Sequence, residues 1–529
     1  MEHRLSELLQ SNCAIGEEDI AHISDICSES TEELDRLNSQ ILQLQLSLQS
    51  VIIKRDELQT KLGVYRAALS PLRRCPTEIF QQIFTWTLPP FPVLSFDEGP
   101  LLLGRVCSRW RSISVSTPEL WSAVHVTIPE ALHTYQGFNR KCEELRHCLS
   151  TWLGRASMLP LHISVFSRNE NSYQEDVSQV ALTLQVLVPL CQQWKYLSLQ
   201  VPASCLSVFS ELQGIDVPLL ESAIIACSDS NHFVLESTNY HPSFLETAPS
   251  LRRLNLGDAG PLFRPVVPWN QLRFLSLGHN DWNFGSRELA HILTECTELR
   301  ECELRIPART DLVRSLSNPI CLPHLERLSL NTDTTLMTEV LSQLCLPSLQ
   351  RLHLDGYRAV LNSMVLASLR GMLHRSHCPL ESLKLDIQRS SNLTTSSVID
   401  LLKTMSSLKT LALMEGNICT HFPIIDEELL NALSDSEDLL CPRLEFIHLP
   451  DRFTFSELTL ERFLAMRLDP SIEEVTTLQA ACIVSCRSGL ADRFARFRDH
   501  VKIVEDIPYR SLPYGGRPMS RYLEYSDEY

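Results

Sequence analysis

A six-residue pattern, Leu-x-x-Leu-x-Leu or a close apolar variant, returns along the chain from Trp194 to Leu449 and restricts what this sequence can fold into. It starts at Trp194-x-x-Leu197-x-Leu199, Leu220-x-x-Ala223-x-Ile225 and Leu251-x-x-Leu254-x-Leu256. Further copies begin at Leu272, Leu299, Leu325, Leu349, Leu380, Leu408 and Leu444. The step from Leu251 to Leu272 is the shortest and that from Leu408 to Leu444 the longest. In each copy the alternation x-Leu-x-Leu predicts a short strand with one buried face. Several intervals then carry helical spacing, as at 287–296, 336–344 and 398–405. Proline often precedes the strand (Pro249, Pro323, Pro347, Pro379, Pro442), where the chain turns out of the helix. One such unit cannot bury its apolar face alone, whereas stacked neighbours can. The expected fold class is therefore α/β, with a curved β/α solenoid over 158–455.

The outward strand positions of that solenoid are Arg253, Asn255, Phe274, Ser276, Glu301 and Glu303, then Arg327, Ser329, Arg351, His353, Ser382, Lys384, Phe446 and His448. The middle group, Arg327, Arg351, His353 and Lys384, is basic in an otherwise acidic protein. These four are the candidate substrate-binding residues. They suit an acidic or phosphorylated segment, because guanidinium forks pair with phosphate oxygens. The competing reading is an ordinary solvated strand face.

Ahead of the repeats lies a heptad. Leu34, Leu37, Ile41, Leu44, Leu48, Val51, Leu58, Leu62, Tyr65 and Leu69 alternate in steps of three and four, and only Arg55 interrupts the seam. A strict 3.5-residue period predicts a coiled-coil helix over 31–70, with Thr31 as its N-cap. The stripe either forms a homodimer through residues 34–69 or folds back on the neighbouring domain. Arg55 in the seam would select register or partner.

The pattern changes at Pro71. Cys75-Pro76-Thr77-Glu78-Ile79-Phe80 leads into Ile83-Phe84; then come Leu103-Gly-Arg-Val106-Cys107-Ser-Arg-Trp110 and Thr117-Pro118-Glu-Leu120-Trp121. This ordered set resembles an F-box, whose pattern runs Pro-x-Glu-Ile, Ile-Phe, Leu-x-x-Val-Cys-x-x-Trp and Thr-Pro-x-Leu-Trp. With the preceding coil, it is similar to F-box families of mushroom-forming fungi. The resemblance implies a three-helix module over 71–123 that docks on the Skp adaptor of a cullin–RING ubiquitin ligase. Carried over, the adaptor-binding residues are Pro76, Ile79, Ile83, Phe84, Leu103, Val106, Cys107 and Trp110, some of which must instead form the module's own core. The sequence departs from the pattern at Cys75, where the family usually has Leu; the smaller side chain fills less of a pocket.

The irregular repeats, at a leucine-rich-repeat period and mostly without the asparagine ladder, resemble those following the box in leucine-rich F-box proteins. There the solenoid holds the substrate protein while other subunits supply the chemistry. The expected role is thus a non-enzymatic substrate receptor of an SCF-type ligase. The alternative is a coiled-coil scaffold whose box is weakened.

Composition narrows the remaining classes. Lys+Arg 47 against Asp+Glu 64 leaves a net charge of −17, which disfavours nucleic acid and anionic membrane as partners. Only 17 glycines occur in 529 residues, and no Gly-rich phosphate loop is spelled out. The 18 cysteines include no Cys-x-x-Cys, the tightest pair being Cys482 and Cys486. Neither His-Glu-x-x-His nor Gly-x-Ser-x-Gly is present, so no metal, cofactor or catalytic residue is expected. The polar start and the lack of a long apolar run predict a cytoplasmic or nuclear protein. The remaining expected segments are an N-terminal stretch at 1–30, a linker at 124–157, a C-terminal cap at 456–510 and a disordered tail at 511–529.

Overall fold

The structure is a computed structural model that describes residues 15–129, 135–167, 174–227, 242–257, 266–278, 286–306, 319–389, 393–414, 426–435, 439–449, 455–469, 476–485, 494–497 and 499–505. The expected tail at 511–529 lies outside them. The chain divides into two units, residues 1–82 and residues 83–529.

The first unit is dominated by one helix, α1 (Glu17–Ala68), of 52 residues. Three acids, Glu17, Glu18 and Asp19, stand in its first turn and Arg66 in its last, each favoured by the helix dipole. None of its residues is buried. The helix begins nearly four turns before the expected start at 31. Gly16 is its N-cap, and Thr31 sits inside it, the hydroxyl donating to the Cys27 carbonyl at 2.6 Å. Acidic and polar residues ahead of Thr31 propagate a helix already nucleated, so the local cap signal there is overridden. Helix α2 (Thr77–Trp86) follows and crosses the boundary between the units.

The second unit opens with α3 (Gly99–Val106) and α4 (Ser108–Val115). Gly99 has φ +59, and Pro100 occupies the first turn, where its missing N–H leaves nothing unsatisfied. Thr117 caps off α4 by donating to Ile113 O at 2.6 Å, and the buried indole of Trp121 donates to Ser114 O at 2.8 Å. Trp121 also stacks edge-on against Trp152, centroids 4.9 Å apart.

From there strands and helices alternate. In chain order they are β1 (Ala123–Thr127), α5 (Tyr135–Arg155), β2 (Leu161–Phe166), α6 (Gln174–Gln185), β3 (Trp194–Val201), β4 (Ser222–Cys227), β5 (Arg253–Gly257) and β6 (Phe274–Gly278). Next come α7 (Ser286–Glu295), β7 (Glu301–Arg305), β8 (Ile320–Cys321), β9 (Arg327–Asn331), α8 (Thr334–Gln343), β10 (Leu344–Cys345), β11 (Arg351–Leu361) and α9 (Ser363–Ser376). The last are β12 (Ser382–Arg389), α10 (Thr395–Leu402), β13 (Thr410–Met414), α11 (Glu427–Ala432), β14 (Phe446–Leu449), α12 (Glu457–Arg467), β15 (Ala480–Ser485) and β16 (Val501–Glu505). Among the described residues, all but β8 and β10 join one 14-stranded sheet, whose strands lie side by side in chain order. Every pairing is parallel. The fold is therefore mixed α/β: a long N-terminal helix, then a large parallel sheet with helices.

The repeat pattern accounts for the core. In every copy the first residue and the two strand residues are buried, for example Leu349, Leu352 and Leu354, at most 1% exposed. Two expectations need correction. Residues 124–157 are not a linker but hold most of β1 and all of α5, and 456–510 extends the sheet by β15 and β16. Both ends carry the pattern in other apolar residues, Trp121-x-x-Val124-x-Val126 and Leu478-x-x-Ala481-x-Ile483, all buried. The spacing is intact there; the first copy has no leucine, and the second has leucine only at its first position. The helical intervals read at 287–296, 336–344 and 398–405 become α7, α8 and α10 within a few residues.

Candidate functional site

Each strand turns alternate residues away from the buried leucines, and exact parallel register stacks those residues into rows. One row runs Arg253, Phe274, Glu301, Arg327, Arg351, Ser382, Thr410, Phe446. Two residues further along each strand runs a second: Asn255, Ser276, Glu303, Ser329, His353, Lys384, Ala412, His448. The fourteen outward positions expected from the sequence all fall on these two rows.

Neighbours along the rows interact. Arg253 lies over the Phe274 ring, 4.4 Å from its centroid. Arg327 Nη1 is 3.7 Å from a Glu301 carboxylate oxygen. Ser276 donates to Glu303 at 3.3 Å, and Ser329 Oγ lies 3.4 Å from His353 Nδ1. In a third row Asn331 Nδ2 donates to Asp355 at 2.7 Å. Phe274 and Ser276 are buried and the others half-buried, so the charges among them are screened less than on an open surface.

Of the four candidate substrate-binding residues, register brings Arg327 and Arg351 side by side in one row and His353 and Lys384 side by side in the other. They are not equivalent cations. Burial above all, then the nearby charges of Lys384 and Arg305, pushes the His353 pKa down to about 4. His353 is therefore neutral at physiological pH, which corrects its place in the basic group. Its Nε2 is buried without a hydrogen-bond partner. His448, two strands beyond Lys384, is held down by burial and by the same lysine. Arg327 is shared with Glu301. The other two members of the group, Arg351 and Lys384, stand on adjacent strands in different rows. Sequence inspection alone misses one more face residue, His125, which is buried on β1 with Nδ1 2.9 Å from Ser164 Oγ. Its row position shows only once β1 is known to belong to the sheet.

The residues expected to bind an adaptor separate by exposure. Phe84 is 1% exposed, with its ring centroid 5.0 Å from that of Trp110, so it belongs to the core of the helical region rather than to its surface. Leu103 and Trp110 are half-buried. Ile79 and Ile83, one turn apart on α2, are exposed at 44% and 39%, and Val106 on α3 at 56%. Pro76 and Cys107 are exposed too. Pro76 offers its carbonyl to Phe80 N–H in the first turn of α2, and Cys107 is the N-cap of α4, its sulfur accepting from Trp110 N–H at 3.5 Å. Cys75, the departure from the family pattern, is half-buried.

Among the described residues no group of His, Cys, Asp and Glu could hold a metal ion, and no helix is long and apolar enough to cross a membrane. Compared with models of protein families and with curated protein sequences, the chain matches none.

Proposed function

We propose that the chain is a substrate receptor of an SCF-type cullin–RING ubiquitin ligase, in which residues 71–123 act as an F-box and the repeats hold the protein to be modified. The observation that carries this reading is the division of the motif residues by exposure. Phe84, Leu120 and Trp121 are buried, while Ile79, Ile83 and Val106 stay in water. Apolar side chains held exposed on short helices favour a partner that covers them. The sheet, with its strands in chain order and one face of leucines, reads as a curved β/α solenoid of irregular leucine-rich repeats. Its other face would carry specificity, with Arg351 and Lys384 taking an acidic or phosphorylated segment. No chemistry is assigned to the chain itself; it raises the effective concentration of the target near a charged conjugating enzyme.

The test is co-purification with the Skp adaptor and cullin, using the intact chain and the Pro76→Ala/Ile79→Ala double variant. Stoichiometric capture that the variant loses supports the reading, and no capture by the intact chain overturns it. Cys75 favours a second reading, in which the box is weakened and the chain serves as a scaffold; adaptor binding without cullin recruitment would select it. For the substrate face, phosphopeptides should bind more tightly than their unphosphorylated forms, and Arg351→Ala or Lys384→Ala should remove the difference.

A further inference from the structure

Because α1 starts at Glu17, its heptad seam extends back beyond the leucines, through Ile20, Ile23, Cys27 and Ser30. Ile20, Leu34, Leu44 and Leu62 on this seam are each at least half exposed. The seam then holds two residues that are not apolar, Ser30 at a d position and Arg55 at an a position. Arg55 has only an exposed ion pair with its neighbour Asp56, at 2.6 Å.

We propose that the seam is covered by α1 of a second copy running antiparallel, in the register that sets Ser30 of each helix against Arg55 of the other. Reversing one helix puts every a position opposite a d position. In this register Glu17 of one helix lies level with Ala68 of the other, so the two overlap over their whole length. Every other layer is apolar on both sides, from Ile20 against Tyr65 near the ends to Ile41 against Leu44 at the centre. The single polar layer on each side of the centre pairs a guanidinium with a hydroxyl, which can accept from it. A slip by one heptad would instead bury Arg55 against Leu37 or Ile23.

Charges beside the seam agree. In the same register Glu33 flanks Lys54 of the other helix, Glu17 flanks Arg66, and no like charges meet. A parallel, in-register pair would set Arg55 against Arg55 and Lys61 beside Arg66. Like charges facing each other across a seam reject that arrangement. This association is independent of the ligase reading, and either can hold without the other.

The test uses the full chain with p-benzoylphenylalanine in place of Leu34, mixed from isotopically light and heavy preparations. Light scattering should give a dimer mass, and irradiation should join position 34 to the region of Val51 in the other copy. A monomer mass, cross-links from position 34 to position 34 of the other copy, or cross-links confined to one chain would each overturn the proposal. A charge exchange gives a second readout. Lys54→Glu should weaken the dimer roughly threefold to tenfold, since the pair occurs twice, and adding Glu33→Lys in the same chain should restore it. A double variant no tighter than Lys54→Glu alone would contradict the antiparallel register.

Discussion

The guanidinium of Arg467, wholly buried, donates from Nη1 to the main-chain carbonyl of Cys441 at 3.1 Å. Its Nε donates to the Leu433 carbonyl at 3.1 Å, and Nη2 donates to that of Leu440. Carbonyl dipoles from the turn between α11 and β14 thus hold a charge that burial opposes, pushing its pKa down to about 10. Cys441 itself has φ +49, in the left-handed region. Arg467→Leu should cost roughly 3 kcal/mol, because the carbonyls it served lose their donors inside the protein. Arg467→Lys should recover only part, since one ammonium cannot span all three acceptors. Urea midpoints of the variants measure both; a loss below about 1 kcal/mol for the leucine variant would contradict this account.

His353 should make the fold acid-sensitive. Its pKa falls from 6.5 to about 4 on folding, so the unfolded chain takes up a proton that the folded chain refuses. Its contribution is fully present above pH 6.5, declines as pH falls towards 4, and then levels off. The decline amounts to at most about 3 kcal/mol. His162 and His448 are lowered too and act in the same direction. Unfolding free energy measured against pH should therefore show a shallower slope between these limits in His353→Gln; an unchanged slope would count against the shift.

Two glycines should respond oppositely to alanine. Gly278 on β6 is in register with Arg305, and a Cβ there would lie 2.3 Å from the Arg305 Cβ, so Gly278→Ala should destabilise by about 1–3 kcal/mol. Gly63 lies inside α1 with nothing within 4 Å of the added carbon. Gly63→Ala should raise the helicity of α1 and stabilise it by about 0.5–1 kcal/mol. Thermal melts followed by circular dichroism distinguish the two signs.

Neighbouring residues of α2 should behave differently as well. Phe84→Ala removes a buried ring and should cost about 3–5 kcal/mol. Ile83→Asp, at an exposed position, should change stability by no more than about 0.5 kcal/mol. If the F-box reading holds, Ile83→Asp should nevertheless abolish adaptor capture, which a pull-down with purified adaptor measures directly.

Much of the fold was visible in the residue pattern, because strand and helix periods are set by the backbone and so appear in any chain that buries one face. The ten leucine copies became ten strands of the sheet, and the heptad became α1. Of the four strands outside those copies, β1, β2, β15 and β16, the pattern survives in other residues at β1 and β15, while β2 and β16 do not carry it in full. Trp121, Val124 and Leu478 keep apolar volume at the right spacing without spelling the leucine motif. The start of α1 was misplaced because Thr31 looks like a cap, yet a hydroxyl inside a helix can bond back to its own previous turn.

The sequence by itself determined the parallel succession of units, the rows on the open face of the sheet and the seam of the long helix. All three follow from periods of two, three and a half, or some two dozen residues, which are local properties. Tertiary structure alone decided which apolar residues between Pro76 and Trp110 face water, that His353 carries no charge, and that Arg467 is a buried cation held by carbonyls. Exposure, pKa and hydrogen-bond satisfaction depend on what distant segments pack against a side chain, and no spacing along the chain encodes that neighbour.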